Sequence, residues 1–170
     1  MKIFLVALLS ASLFGSVLLF YPRPTVAPAI EEPVALAPAP SDPQTILEET
    51  VRVYLQSKNS PLAEEVEILV SQKHWKLLIA ISAIESQYCK RQLGKNCWGI
   101  KVGGNTYRQY DSYAEAIVDA NNLIEKWQAR GKWLTPENMI GSYVVPGSAN
   151  WLYTVKSVLA ELDALLIKNT

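Results

Sequence analysis

Leu77-Leu78-Ile79-Ala80-Ile81-Ser82-Ala83-Ile84 is a nearly unbroken apolar run that ends in a carboxylate, Glu85, followed by Ser86. A carboxylate at the end of so apolar a segment loses hydration, which costs free energy unless something compensates it. The same loss raises its pKa and holds a proton on it towards neutral pH. A positioned, protonated carboxyl is what general-acid catalysis needs. Between Lys73 and Arg108 stand seven Lys and Arg residues, and Glu85 is the one Asp or Glu among them. A basic field around a lone carboxylate draws an anionic polymer, and a merely solvated basic surface is the plainer alternative.

The other reactive residue types are sparse. The chain has two cysteines, Cys89 and Cys97, and one histidine, His74. That set lacks the spacing of a zinc site, so no metal is expected, and no organic cofactor either. Two cysteines eight residues apart in an exported domain point to a disulfide, with a pair of reduced thiols as the alternative. Closing so short a loop contributes about 2–3 kcal/mol in the chain-entropy account. His74 lies at a helix boundary and is read as structural.

The elements that must position Glu85 follow from the order of the chain. Residues 1–21 are a transmembrane anchor or signal segment: Lys2 precedes eighteen uncharged residues, Ile3–Phe20, just enough to span a bilayer. No cysteine follows to take a lipid. An uncleaved anchor is preferred over a cleaved signal, and either one places the domain outside the cytoplasm, on the periplasmic or cell-wall side. Residues 22–43 carry most of the chain's ten prolines and form an extended spacer. Residues 44–170 remain for one domain with a real core. The chain has 16 basic and 16 acidic residues, so nothing global points to nucleic acid.

Within the domain the periodicity is helical. Asp42-Pro43 starts a helix with Ile46, Leu47, Val51, Tyr54 and Leu55 on one face. Ser60-Pro61 starts a second, through Leu62, Val66, Leu69 and Val70. Leu77–Tyr88 forms the helix that carries Glu85, and its apolar character all round makes it the central one. Trp98–Val102 and Thr106–Tyr110, around Gly103-Gly104-Asn105, predict a short hairpin that must pack on the helices. Ser112-Tyr113-Ala114-Glu115 is a capping box for a helix ending near Gly131. Thr135-Pro136-Glu137 starts a short helix, 142–147 is a turn, and a last helix carries Trp151, Val155, Val158, Leu159, Leu162 and Leu166. The expected fold class is mostly α, with a small β-hairpin after the Glu85 helix.

Ala80-Ile81-Ser82-Ala83-Ile84-Glu85-Ser86, the segment Asn96-Cys97-Trp98-Gly99-Ile100, the aromatic turn Ser142-Tyr143-Val144-Val145-Pro146-Gly147 and the tryptophan-bearing last helix come in an order that resembles the lysozyme-like superfamily. The nearest members in pattern are the lytic transglycosylases and the glucosaminidase-type cell-wall hydrolases. The resemblance spans roughly residues 61–166. It departs from the transglycosylases where they carry a Gly-Leu-Met-Gln-like segment, since Trp98-Gly99-Ile100-Lys101 is closer to the glucosaminidase version. The resemblance implies a lysozyme-like domain that cleaves β-1,4 glycosidic bonds in peptidoglycan glycan strands, with Glu85 as the acid.

Glycoside cleavage commonly uses a second carboxylate. Asp111, Asp119 and Glu137 are candidates, and Glu115 is better explained as a cap. The alternative, implied by the likeness to transglycosylases, is a single-acid route in which a substrate hydroxyl or N-acetyl group takes the nucleophile's part and an anhydro-sugar is released. Ser86 follows the acid and either positions backbone or ends the helix. Tyr143 either hydrogen-bonds Glu85 or the substrate, or belongs to the core. Trp98 and Tyr107 are candidate sugar platforms, although Trp98 equally suits sealing the hairpin. Trp127, Trp133 and Trp151 are read as core. Two other functions fit the same chain: a non-catalytic peptidoglycan-binding or scaffold module, and a membrane-anchored helical domain that binds proteins.

Overall fold

The computed structural model describes residues 42–133 and 135–169. The apolar segment expected over residues 1–21, and nearly all of the linker expected over 22–43, lie outside the described residues. Among the described residues no helix is long and apolar enough to cross a membrane. The domain is mostly helical. Helix α1 covers Pro43–Ser57, a 3-10 turn Pro61–Glu65, α2 Val66–Val70 and α3 Trp75–Ser86. The two strands, β1 (Lys101–Gly103) and β2 (Thr106–Tyr107), pair antiparallel, and α4 (Tyr113–Gln128), α5 (Pro136–Met139) and α6 (Ala149–Asn169) complete the chain.

Local chemistry sets most of these boundaries. The Asp42 carboxylate accepts the Gln44 N–H at 3.1 Å and starts α1. Ser60 does the same for Leu62 at 3.2 Å, but the turn it opens is not the continuous helix expected through Val70. Arg52 donates to the Ala63 carbonyl at 2.9 Å within that turn, and the backbone leaves helical values at Glu65 (φ −110°, ψ 21°) before α2 begins. Ser112 accepts the Glu115 N–H at 3.0 Å, and Glu115 reaches back to accept the Asp111 N–H at 3.0 Å. The capping box therefore forms one residue wider than its simplest version.

Helix α3 is the central element, as its composition predicts. Leu78, Ile79, Ala80, Ile81, Ser82 and Ser86 are buried. It packs most extensively on α6 and also touches α4 and α2. Helix α6 buries Trp151, Val155, Val158 and Leu162, a stripe at helical spacing that covers α3. The α3 boundaries differ from the expected Leu77–Tyr88: the helix starts at Trp75 and stops at Ser86. Gln87, Tyr88 and Cys89 then take φ values of +53°, +59° and +64°. Three successive left-handed residues without a glycine are costly. They are held by the Cys89–Cys97 disulfide, by Tyr88 N–H donating to the Ser82 carbonyl at 2.9 Å, and by Cys89 N–H donating to Ser86 Oγ at 3.1 Å.

The hairpin is shorter than expected, with an irregular register between Lys101 and Gly103, and both strands are exposed. Its base, not its tip, packs on the helices: Trp98, Ile100 and Tyr110 are buried. Buried Asn96 clamps that base. Its amide donates to the carbonyls of Ile100 (2.7 Å) and Arg108 (3.0 Å) and accepts the Ile100 N–H (2.9 Å).

Candidate functional site

Glu85 sits in the last turn of α3 and is exposed at its open side. Trp151, from the start of α6, donates its indole N–H to Glu85 Oε1 at 2.9 Å. The crowding of protein atoms around the carboxyl raises its pKa above the ordinary carboxylate value. The Trp151 bond works the other way and offsets only part of that rise, because a hydrogen bond to the charged form favours it. Among the described residues no cation forms an ion pair with Glu85. The basic surround expected from sequence is largely engaged elsewhere. Lys76 pairs with Asp163 at 2.6 Å and Arg108 with Asp119 at 2.6 Å, while Lys90 and Lys95 donate to the carbonyls of Lys58 and Asp111.

Two cavities meet at the acid, since Glu85 and Gly99 line both. The larger, about 490 Å³, is also lined by Trp98, Lys101, Asp119, Lys126 and Trp127. The smaller, about 220 Å³, is bounded by Arg91, Gln92, Asn96 and Tyr107. Gly99 has φ +64°, and a Cβ there would stand 3.8 Å from Glu85 Oε2 and 3.9 Å from Tyr107 Cε1. The absence of a side chain at Gly99 therefore keeps the passage between the two arms open beside the carboxylate. Beyond the larger arm, Arg108, Asp119 and Asn122 also border a third hollow of about 460 Å³. The three hollows share lining residues in turn, the first two at Glu85 and the first and third at Arg108, Asp119 and Asn122, an arrangement that suits an extended ligand.

The residues singled out from sequence divide by role. Tyr107 is 43% exposed beside Gly99, with the Lys101 ammonium 5.3 Å from its ring centroid, so it offers an aromatic face at the acid. Trp98 borders the groove but is only 3% exposed. Its indole N–H donates to the Leu78 carbonyl at 2.9 Å, so it seals the hairpin base onto α3. The Ser86 hydroxyl is buried and bound to backbone, donating towards the carbonyls of Cys97 (2.8 Å) and Ser82 (3.1 Å) while accepting from Cys89. It positions the loop behind the acid. Tyr143 donates to the Trp98 carbonyl and not to Glu85. Its phenol is held well above its ordinary pKa, first by burial and then by the charge of Glu85. It stays protonated and acts as a strut. Cys89 and Cys97 are bonded, with Cα atoms 4.8 Å apart.

Trp151 is the partner that the sequence reading assigned only to the core. It is indeed 5% exposed, yet it supplies Glu85's hydrogen bond. It ends a chain of rings: Trp127 stacks on Trp133 at 5.0 Å, Trp133 meets Tyr143 edge-on at 5.2 Å, and Tyr143 lies 5.8 Å from Trp151. This aromatic wall braces one side of the groove. Of the candidate second acids, Asp119 shares the larger arm with Glu85, while Asp111, Glu115 and Glu137 do not line it. Asp119 Oδ2 is already bound by Arg108 (2.6 Å) and by the Tyr110 hydroxyl (2.7 Å). Glu137, salt-bridged to Lys156, is pulled down to about 2. His74 donates its backbone N–H to Asn121 and does not line the groove. Among the described residues no three His, Cys, Asp or Glu side chains stand close enough to hold a metal.

No protein-family model matches the chain, and no curated protein matches it.

Proposed function

We propose that this domain has a lysozyme-like fold, lies outside the cytoplasm, and cleaves β-1,4 glycosidic bonds in peptidoglycan glycan strands, with Glu85 as the general acid. The observation that carries this is the placement of Glu85 at the junction of two groove arms, its proton favoured by desolvation and its carboxyl anchored by Trp151. The order of motifs from Ala80 to Trp151 supports the choice of peptidoglycan. A strand lying along the groove would put the scissile oxygen at Glu85 with sugars on either side. As the C–O bond breaks, the Glu85 proton passes to the leaving oxygen. Asp119 is already bound by Arg108 and Tyr110, which favours the single-acid route. A hydroxyl or N-acetyl oxygen of the substrate attacks the anomeric carbon. Where a hydroxyl attacks, the Glu85 carboxylate takes its proton, and an anhydro-sugar end results.

Glu85→Gln keeps the shape and an acceptor for Trp151 but cannot give a proton. It is expected to fold normally and to release soluble muropeptides from purified peptidoglycan about 10²–10⁴-fold more slowly. Release at the wild-type rate would overturn the proposal. Mass spectrometry of the digest reads the route, because an anhydro end is lighter by one water than a hydrolysed one. Binding to sacculi without any soluble product from the wild-type protein would instead mark a binding module.

A further inference from the structure

The charges of the larger arm do not balance in the way a neutral sugar chain would require. Three cations line it, Lys101, Arg108 and Lys126, with two carboxyls, Glu85 and Asp119. Arg108 and Asp119 neutralise each other at 2.6 Å. Glu85 is bound to a neutral indole. That leaves Lys101 and Lys126, neither of which forms an ion pair among the described residues. Lys101 lies over the exposed Tyr107 ring, which borders the smaller arm. Lys126 stands in the last turn of α4. Arg130 and Lys132 sit 5.4 and 5.1 Å from the centroid of Trp127, which also lines the arm. A groove wall with this surplus of positive charge raises the local concentration of anions.

We infer that the larger arm receives a carboxylate carried by a peptide branch of the glycan strand, with Lys101 and Lys126 as its counter-charges. The inference rests on the glycan-strand reading above and narrows it: the substrate is the peptide-bearing strand rather than the bare sugar chain. Sugar hydroxyls and N-acetyl groups give no use for two ammonium groups that stand outside any ion pair, whereas a branch carboxylate does. The plainer role for Lys126, complementing the dipole at the C-terminal end of α4, predicts an effect on stability and none on substrate choice.

The test separates binding from turnover. Full-length protein carrying Glu85→Gln is titrated with soluble glycan strands that keep their peptides, and with the same strands after carbodiimide coupling has turned their peptide carboxylates into neutral amides. The strands with free carboxylates are expected to bind more tightly. Adding Lys101→Gln and Lys126→Gln together is expected to shrink that ratio about three- to tenfold, as suits two partly screened contacts. Raised salt should shrink it too, and Lys101→Arg with Lys126→Arg should retain it. Equal binding of the two strands, binding of neither, or a ratio unchanged in the double Gln variant overturns the inference. Turnover by the wild-type protein is measured separately. If it cleaves neither strand, the enzymatic reading falls while the binding ratio still decides the role of the lysines.

Discussion

Trp151 and the walls around Glu85 pull its proton affinity in opposite directions, and burial wins. Trp151→Phe removes the one hydrogen bond that favours the carboxylate, so the Glu85 pKa should rise further. The alkaline limb of the pH–rate profile is then expected to move to higher pH, with a lower maximum rate because the carboxyl loses its anchor. The same change should cost about 1–3 kcal/mol in stability, from a lost hydrogen bond and an imperfectly filled site. A pH–rate series with a denaturant titration checks both, and an unmoved limb would argue that Trp151 only packs. Gly99 offers a second residue-scale test. Alanine there meets no clash, since both near atoms lie at ordinary contact distance, but φ +64° strains it by about 1–2 kcal/mol. Its methyl would stand between Glu85 and Tyr107 in the passage joining the two arms. Gly99→Ala is expected to lower kcat/KM further than its loss of stability explains, as read by kinetics well below the melting temperature.

The turn behind α3 shows how an element can be held by parts that are individually unfavourable. Gln87, Tyr88 and Cys89 adopt left-handed backbone with side chains that disfavour it. The disulfide, the buried Ser86 hydroxyl and the Asn96 clamp together fix this turn and the hairpin base that follows. Replacing both cysteines by alanine is expected to cost about 2–3 kcal/mol, the loop-closure value for so short a ring. Activity should fall as well, because the freed turn no longer fixes the end of α3 that carries Glu85. Thermal melts and peptidoglycan digestion with and without reductant check this, and unchanged activity in the stable variant would separate the turn from the site. The capped helix starts and the apolar stripes of α3 and α6 were legible in sequence because caps and periodicity are local. The stop at Ser86 was not, since none of the three left-handed residues is a glycine and the bonds that hold them come partly from Cys97, across the loop. The break after the Pro61 turn was hidden likewise, because no proline or glycine marks Glu65, where the backbone leaves helical values.

At the scale of the molecule, Glu85 also shapes stability against pH. Its pKa is raised above 4.5 in the fold, so the folded state holds this proton more tightly than the unfolded chain does. Below the unfolded value both states are protonated and the favourable protonated state is fully present. As pH rises through the folded value that contribution is lost. Glu85→Gln cannot ionise, so its melting temperature should match the wild type near pH 3 and exceed it increasingly as pH rises towards 7. A difference that shrinks over that window would contradict the raised pKa. Removing the acid is thus expected to stabilise the protein above the folded pKa while slowing the proposed cleavage, the pattern of a group kept for chemistry rather than for folding.

The sequence by itself determined the helical class, the central α3, the caps, the disulfide-ready spacing of Cys89 and Cys97, and the anomaly of a carboxylate ending an apolar run. These depend on residue type and on neighbours within a few turns. Tertiary structure decided which aromatic group serves Glu85. Tyr143 turned to the Trp98 carbonyl, and Trp151, 66 residues from the acid, took the carboxylate. It also decided that Trp98 is a seal, Tyr107 an open face, and Asp119 the one candidate second acid in the arm, bound by Arg108 and Tyr110. The reason is physical: hydrogen-bond partners and groove walls are set by how α3, α4, α6 and the hairpin base pack together. Periodicity shows that Trp151 is buried, and only packing shows that its N–H points at Glu85.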